Sequence, residues 1–193
     1  MTDITAIFSA IDAINAEDPN LETSNGEQIA KELLYSQRMT QWQQRFSPEA
    51  TPELQIACRA QHIKRWAIPR SDYPMDRQGY KRWRTELGRM HGDLTAELMQ
   101  QNGFDDEAQQ RVKDLLLKKQ LKRDAEVQAL EDIICLVFLE FYLEPFAEKH
   151  SEEKLISIIQ KTWNKMSEDG HAAALKLPFN DAMGTLIGKA LES

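Results

Sequence analysis

The chain has 193 residues, of which 41% are hydrophobic and 28% are charged, and its formal net charge is −7. These proportions are typical of one globular domain that buries a sizeable core. No apolar run reaches the about 18 residues of a membrane span, and the overall acidity argues against a protein that coats nucleic acid.

The N-terminal residues contain no basic segment followed by an apolar one, so we expect no export signal. The two cysteines, Cys58 and Cys135, lie in apolar helical patterns. We expect both to be buried free thiols in a reducing compartment, which predicts a cytoplasmic protein without membrane contact.

Apolar residues recur at spacings of three and four along nearly the whole chain, which predicts an almost entirely helical protein. The first predicted helix covers about residues 3–16 and ends before Pro19. Ser24 and Glu27 match a capping box, and they predict a second helix that continues to Phe46.

The next predicted helix begins at Thr51-Pro52, because proline favours the first helical position. This helix carries His62 and ends before Pro69. Residues 70–78 are predicted to form a loop.

The remaining predicted helices have the approximate bounds 79–102, 105–120, 124–149 and 151–170, with a short helix starting at Asn180. The helix over 124–149 is apolar on nearly every face, which marks the central buried helix of the fold. The sequence therefore predicts a compact, single-domain, all-α bundle of about seven to nine helices over residues 1–193.

A basic segment interrupts this acidic chain between Arg59 and Arg89, where nine basic residues accompany three acidic ones. An arginine guanidinium can donate two parallel hydrogen bonds to a phosphate or carboxylate group. We therefore expect this segment to bind a small anionic or phosphorylated ligand, with nucleic acid less favoured. The arginines predicted to bind it are Arg59, Arg65, Arg70, Arg77 and Arg84. The alternative is a solvated basic face that pairs with acidic neighbours.

Two histidines and two carboxylates are the candidates for chemistry. His62 and His91 come from separate predicted helices, and with an Asp or Glu from another helix they would form a donor set that suits one Mn, Fe or Zn ion. Glu131 and Asp132 open the apolar helix, where a carboxylate is costly unless it is paired or binds a metal. The alternatives are hydrogen-bonded core histidines and carboxylates that pair with the basic segment.

Several stretches resemble a family of uncharacterised helical proteins, some of which are labelled glutamyl-tRNA synthetase-like. These stretches are L-L-Y-S-Q-R-M, Q-H-I-K-R-W-A-I-P-R, Q-G-Y-K-R-W-R, L-E-D-I-I-C-L-V-F-L-E and K-T-W-N-K-M-S. The resemblance covers nearly the whole chain and implies an all-helical fold. The sequence contains no Gly-rich phosphate loop or nucleotide-binding α/β pattern that would support the synthetase label.

The order of helices also resembles the HD-domain metal-dependent phosphohydrolases. That resemblance implies metal-ligand roles for His62, His91 and Asp132. Ile63 stands where the family has an aspartate, and Glu32, Gln37 or Arg38 takes the place of its upstream histidine. Lys118 or Lys119 stands where many members have a further histidine.

Two functions follow from these observations. The first is an HD-like phosphohydrolase that acts on a phosphorylated small molecule or nucleotide, in which a divalent metal activates water and Glu131 and Asp132 carry catalytic roles. The second is a metal-free protein that binds a nucleotide, an RNA end or an acidic partner and has no catalytic activity.

Overall fold

The structure is a computed structural model that describes residues 3–192. Its backbone contacts divide the chain into two compact units, Met1–Val127 and Gln128–Ser193. The described residues form ten α-helices and one two-stranded sheet, which confirms the predicted mostly helical class. The count exceeds the predicted seven to nine because two predicted long helices are each divided.

The helices of the first unit are α1 (Ile4–Asn15), α2 (Lys31–Phe46), α3 (Pro52–Ala60), α4 (Arg77–Gln101) and α5 (Asp106–Leu116). The boundary between the units falls within α6 (Ala125–Val137). The second unit continues with α7 (Leu143–Ala147), α8 (Glu152–Trp163), α9 (Glu168–Ala174) and α10 (Asp181–Glu192). Within the described residues, no helix has the length and apolar character needed to cross a membrane.

A hairpin connects α1 to α2, and its antiparallel strands are β1 (Leu21–Ser24) and β2 (Glu27–Ala30). The predicted capping box at Ser24 and Glu27 is therefore wrong. Asn25 and Gly26 form the turn with φ angles of 51° and 82°. An Asn-Gly pair adopts this left-handed geometry readily, so the turn residues favour the hairpin over an early helix start.

Helix α3 begins as predicted, with the Thr51 hydroxyl accepting from the N–H of Leu54. It ends at Ala60, however, so the prediction of one helix continuing to Pro69 is wrong. Lys64 adopts a left-handed φ of 52°, and its N–H donates to the Asn15 side chain at 3.0 Å. His62 consequently lies in a turn that follows α3 and not within the helix.

Helices α4 and α5 approach each other closely at two glycines of α4. A Cβ at Gly88 would lie 3.3 Å from the Leu117 side chain, and one at Gly92 would lie 3.4 Å from Lys113. This approach brings the end of α5 beside the middle of α4. Helix α5 ends at Leu116, four residues before the predicted Gln120.

In the second unit, α6 carries the predicted apolar core residues, and Ile133 and Leu136 are fully buried. The predicted single helix over 124–149 is interrupted by a π-helical turn at Phe138–Tyr142. Pro145 explains the interruption, because proline has no N–H to donate to a carbonyl one turn earlier.

The predicted helix over 151–170 is also divided. Helix α8 ends at Trp163, and α9 begins after Ser167, whose hydroxyl accepts from the N–H of Gly170 at 3.1 Å. Gly170 therefore lies inside a helix and does not end one. The predicted start at Asn180 is confirmed, since its side chain caps α10 by accepting from Met183.

Candidate functional site

A cavity of about 250 Å³ lies in the first unit, between the turn after α3, the middle of α4 and the end of α5. The polar side chains of its wall include Gln61, His62, Arg65, Arg84, His91 and Lys118. The fold therefore brings together both predicted histidines and two of the five predicted arginines. We call this site the cationic cavity, after Arg65, Arg84 and Lys118.

His62 is held in one orientation by its three neighbours. Its Nδ1 lies 3.0 Å from a Glu32 carboxylate oxygen, and its Nε2 lies 3.4 Å from Nη1 of Arg65. The Tyr35 ring stacks on the imidazole at 3.9 Å. Because a guanidinium can only donate, Nε2 accepts and Nδ1–H donates to Glu32.

Burial and nearby cations keep both histidines neutral at pH 7. Burial, followed by the charges of Arg65, Arg84 and Lys118, holds the pKa of His62 well below its ordinary value. Burial, His62 and the same two arginines lower the pKa of His91 in the same direction. Neutral imidazoles leave a nitrogen lone pair available to a ligand.

The two buried charges next to His62 are also shifted. Burial raises the pKa of Glu32 to about 7, and the charge of Arg65 opposes this shift only in part. Burial and then the neighbouring Arg84 lower the pKa of Arg65. Within residues 3–192, no carboxylate lies within ion-pair distance of Arg84. An anion between the two guanidiniums would relieve their repulsion.

Two buried polar atoms of the wall have no hydrogen-bond partner among the described residues. They are Nε2 of His91 and Oε1 of Gln61, whose residues are 4% and 5% exposed. An unsatisfied buried polar atom costs about 1–3 kcal/mol, so natural proteins rarely retain one without a reason. Because both atoms belong to residues of the cavity wall, we favour a bound polar ligand as the explanation for their missing partners.

Lys118 reaches the wall through an unusual backbone conformation. It follows α5 with a left-handed φ of 54°, and the next N–H, of Lys119, closes the helix by donating to the Asp114 carbonyl at 3.0 Å. A lysine in this region costs about 1–2 kcal/mol relative to a right-handed conformation. Such strain is commonly retained at functional sites.

The other predicted arginines make contacts elsewhere. The Arg59 guanidinium donates to Asp12 at 2.8 Å and to Thr40 at 3.1 Å, so it joins α3 to α1 and α2. Arg70 donates to the backbone carbonyls of Tyr73 and Pro74 at 3.0 and 2.8 Å, which holds its own loop. Arg77 is exposed at the first position of α4.

The predicted carboxylates Glu131 and Asp132 belong to the second unit. Asp132 accepts from the backbone N–H of Ser167 at 2.8 Å, from its hydroxyl at 2.6 Å and from Gln128 at 3.2 Å. Glu131 lies 3.8 Å from Nζ of Lys165. The three hydrogen bonds give Asp132 the contacts of a structural group, and the cation next to Glu131 is a lysine outside the basic segment.

Two of the three predicted metal ligands, His62 and Asp132, already have hydrogen-bond partners. Among residues 3–192, no group of three His, Cys, Asp or Glu side chains could hold a metal ion. Arg65 occupies Nε2 of His62, where it would oppose a second cation, and the Asp132 oxygens already accept three hydrogen bonds. The metal therefore stays a prediction, and no chemical step is derived through it.

Sequence reasoning missed the partners that orient the site. Glu32 was named only as a residue near a missing histidine, yet it lies one turn from buried Tyr35 and two turns from buried Met39. A glutamate at a core-facing position of a predicted helix is unusual, and this pattern could have identified Glu32 as a residue of the site. Gln61 lies next to His62 in the sequence, but its orientation depends on the end of α3, which the sequence did not predict.

These features define a mostly helical protein whose first unit contains a cationic cavity with two neutral histidines. The chain matches the model of the family described as "Domain of unknown function (DUF4202)" over residues 5–187, and it belongs to that family. No curated protein and no solved structure gives a significant match. The resemblance to HD domains stays a prediction.

Proposed function

We propose that the cationic cavity binds a small phosphorylated molecule directly, without a metal ion. The observation that best supports this proposal is that three cationic side chains and two polar atoms without hydrogen-bond partners belong to the wall of the same cavity. Arg65, Arg84 and Lys118 come from three separate segments of the first unit, so the fold itself concentrates their charge.

The donor set favours phosphate over a single carboxylate. Two guanidiniums and an ammonium supply many N–H donors, and a phosphate group has three terminal oxygens that can accept them. The imidazole of His91 and the amide of Gln61 add polar contacts for the remainder of the ligand. The cavity volume of about 250 Å³ suits a small metabolite more than a polymer.

The test is calorimetric titration of the full chain with inorganic phosphate in the presence of a metal chelator. We expect saturable binding that Arg84→Ala weakens by roughly 10- to 100-fold, because a hydrogen bond to a charged group contributes about 1.5–3 kcal/mol. Arg89→Ala is the matched control, since this exposed arginine lies on the same helix and pairs with Glu86 at 3.2 Å.

If Arg84→Ala and Arg89→Ala weaken phosphate binding equally, the binding results from the general surface charge and not from the cavity. Unchanged affinity in Arg84→Ala would remove the cavity from the proposal. If phosphate binding is lost when the chelator is added, the result would favour a site that binds phosphate through a metal ion.

A second candidate, the HD-like metal-dependent phosphohydrolase, is favoured by one observation. The rings of His62 and His91 lie 6.3 Å apart, centroid to centroid, in the same cavity. Its test is metal analysis of protein purified with Mn, Fe and Zn supplied. Stoichiometric metal that is lost in a His62→Ala, His91→Ala double variant would favour this candidate over direct binding.

A further inference from the structure

We infer that Nε2 of His62 is a phosphoacceptor, which takes a phosphoryl group from a small donor with an acidic leaving group, such as an acyl phosphate. This inference rests on the proposed phosphate site and specifies a reaction for it. It is carried by the juxtaposition of an oriented imidazole, two guanidiniums and a cavity.

The first step of the argument is the tautomer. Nδ1–H is committed to Glu32 at 3.0 Å, so the reactive lone pair is on Nε2. The stacked Tyr35 ring fixes the imidazole, and His62 lines the cavity. This is the arrangement of an oriented nitrogen nucleophile.

The second step is position. Nε2 has a long contact of 3.4 Å with Nη1 of Arg65, which a bound phosphate can replace with a stronger charge-assisted bond. A phosphate that accepts from that Nη1 through one oxygen would bring its phosphorus beside Nε2, where the attacked atom can come within the ~3–3.5 Å of a reactive contact. Arg84, in the same wall, is placed to bind the remaining oxygens as charge develops on them.

The third step is the balance of the reaction with acetyl phosphate. The Nε2 lone pair forms a bond to phosphorus, and the bond from phosphorus to the bridging oxygen breaks. Acetate leaves with that electron pair and requires no proton. The ring keeps its hydrogen on Nδ1 and gains one positive charge, which the Glu32 carboxylate neutralises.

The experiment incubates the full chain with acetyl phosphate and a metal chelator, followed by peptide mass spectrometry without acid. We expect one phosphoryl group on His62, stable to alkali and lost in acid. Labelling of His62 should exceed that of His150, which lies outside the cavity, by at least about tenfold, since only the cavity orients the donor.

Three variants locate the reaction. His62→Gln should lose the label, and Arg84→Gln should slow labelling by roughly tenfold or more while leaving the acceptor intact. Arg89→Gln should label like the unaltered protein. The position of the phosphoryl group is determined on the unaltered protein, so the inference can be tested even if His62→Gln does not fold.

Glu32 acts as a positioning residue for this step. Glu32→Ala should lower the labelling rate and let hydrogen exchange between the two ring nitrogens, which ¹⁵N NMR of His62 detects. Glu32→Gln should keep the tautomer, because its amide oxygen still accepts from Nδ1–H, and should lose only the charge that neutralises the imidazolium. An unchanged tautomer and an unchanged labelling rate in Glu32→Ala would remove Glu32 from the mechanism.

The same samples are titrated with inorganic phosphate to separate the two proposals. Binding that depends on Arg84 but no label on His62 would overturn the phosphoacceptor inference and leave the proposed function standing. Absence of both binding and label would overturn both. Label that is equal on His62 and His150 would also overturn the inference.

Discussion

Asp132 in the second unit and His91 in the first are both buried polar side chains, with 2% and 4% of their surface exposed. Asp132 accepts three hydrogen bonds from Ser167 and Gln128, whereas Nε2 of His91 has no partner within residues 3–192. A buried group whose bonds are complete contributes to folding. A buried group left incomplete beside a cavity is available to a ligand. We therefore expect substitution of Asp132 to change stability and substitution at the cavity wall to change the proposed ligand binding.

The largest expected effect is on stability and comes from Asp132→Ala. Removing the carboxylate leaves the Ser167 N–H and hydroxyl without their acceptor, at about 1–3 kcal/mol for each group that stays buried, while the Gln128 amide keeps the Lys165 carbonyl at 2.9 Å. We expect the free energy of unfolding, measured by urea denaturation, to fall by about 3 kcal/mol or more. Glu153→Ala, an exposed carboxylate of the same unit, should change it by less than about 0.5 kcal/mol.

A loss in Asp132→Ala no larger than the loss in Glu153→Ala would contradict the structural role of Asp132. It would also return this carboxylate to the list of candidates for chemistry.

Glu32→Gln should give the next largest effect, as a change with pH. The pKa of Glu32 is raised to about 7 from 4.5, so its contribution to stability is greatest at low pH and is lost as the pH rises to about 7. The glutamine variant should therefore gain about 2–3 kcal/mol relative to the unaltered protein between pH 4.5 and pH 8. Urea denaturation of both chains across this range measures the difference.

The two histidines change the free energy of unfolding with pH in the opposite direction to Glu32. Because the pKa values of His62 and His91 are lowered, their contribution is lost as the pH falls below 6.5. Because His62 contacts Glu32 at 3.0 Å, the difference between the two chains reports the titration of this pair, whereas the contribution of His91 is common to both chains. A difference between the chains that does not change with pH would contradict the burial of an ionisable carboxylate beside His62.

Gly170→Ala tests the crowding around Asp132. A Cβ at this position would lie 2.6 Å from a carboxylate oxygen of Asp132, so we expect a loss of about 1–3 kcal/mol. Gly188→Ala is the matched control in α10, where nothing lies within 4 Å of the added Cβ. There, alanine should increase the free energy of unfolding by about 0.5–1 kcal/mol. Changes of the same sign in both variants would contradict the packing of α9 on Asp132.

The smallest expected effect compares Lys118→Gly with Lys118→Ala. Both remove the cation and should weaken phosphate binding equally, but only glycine relieves the left-handed backbone at φ 54°. The glycine variant should therefore be more stable than the alanine variant by about 1 kcal/mol. Equal thermal stabilities would contradict the strained backbone at the cavity wall.

Helix starts were the part of the fold that the sequence predicted best. Thr51, Asp105 and Asn180 were each predicted as a start, and each caps a helix through its own side chain. A cap acts on N–H groups two or three residues away, so its signal is contained in a short stretch. The Asn25-Gly26 turn is equally local, and in the fold it prevails over the capping-box pattern that flanks it.

Helix ends and the site partners were predicted less well, because they depend on distant contacts. The end of α3 relies on Asn15 accepting from the Lys64 N–H, 49 positions along the chain. The basic segment contains Arg65 and Arg84, which line the cavity. It could not distinguish them from Arg59, because the partner of Arg59 is Asp12 in a different helix.

The most direct test of the central claim is a crystal structure of the protein grown with tungstate, a heavy-atom analogue of phosphate whose position anomalous scattering reveals. We expect one strong anomalous peak in the cationic cavity, within hydrogen-bonding distance of the guanidiniums of Arg65 and Arg84. A peak at the exposed Arg70–Arg77 loop, with the cavity empty, would contradict the account.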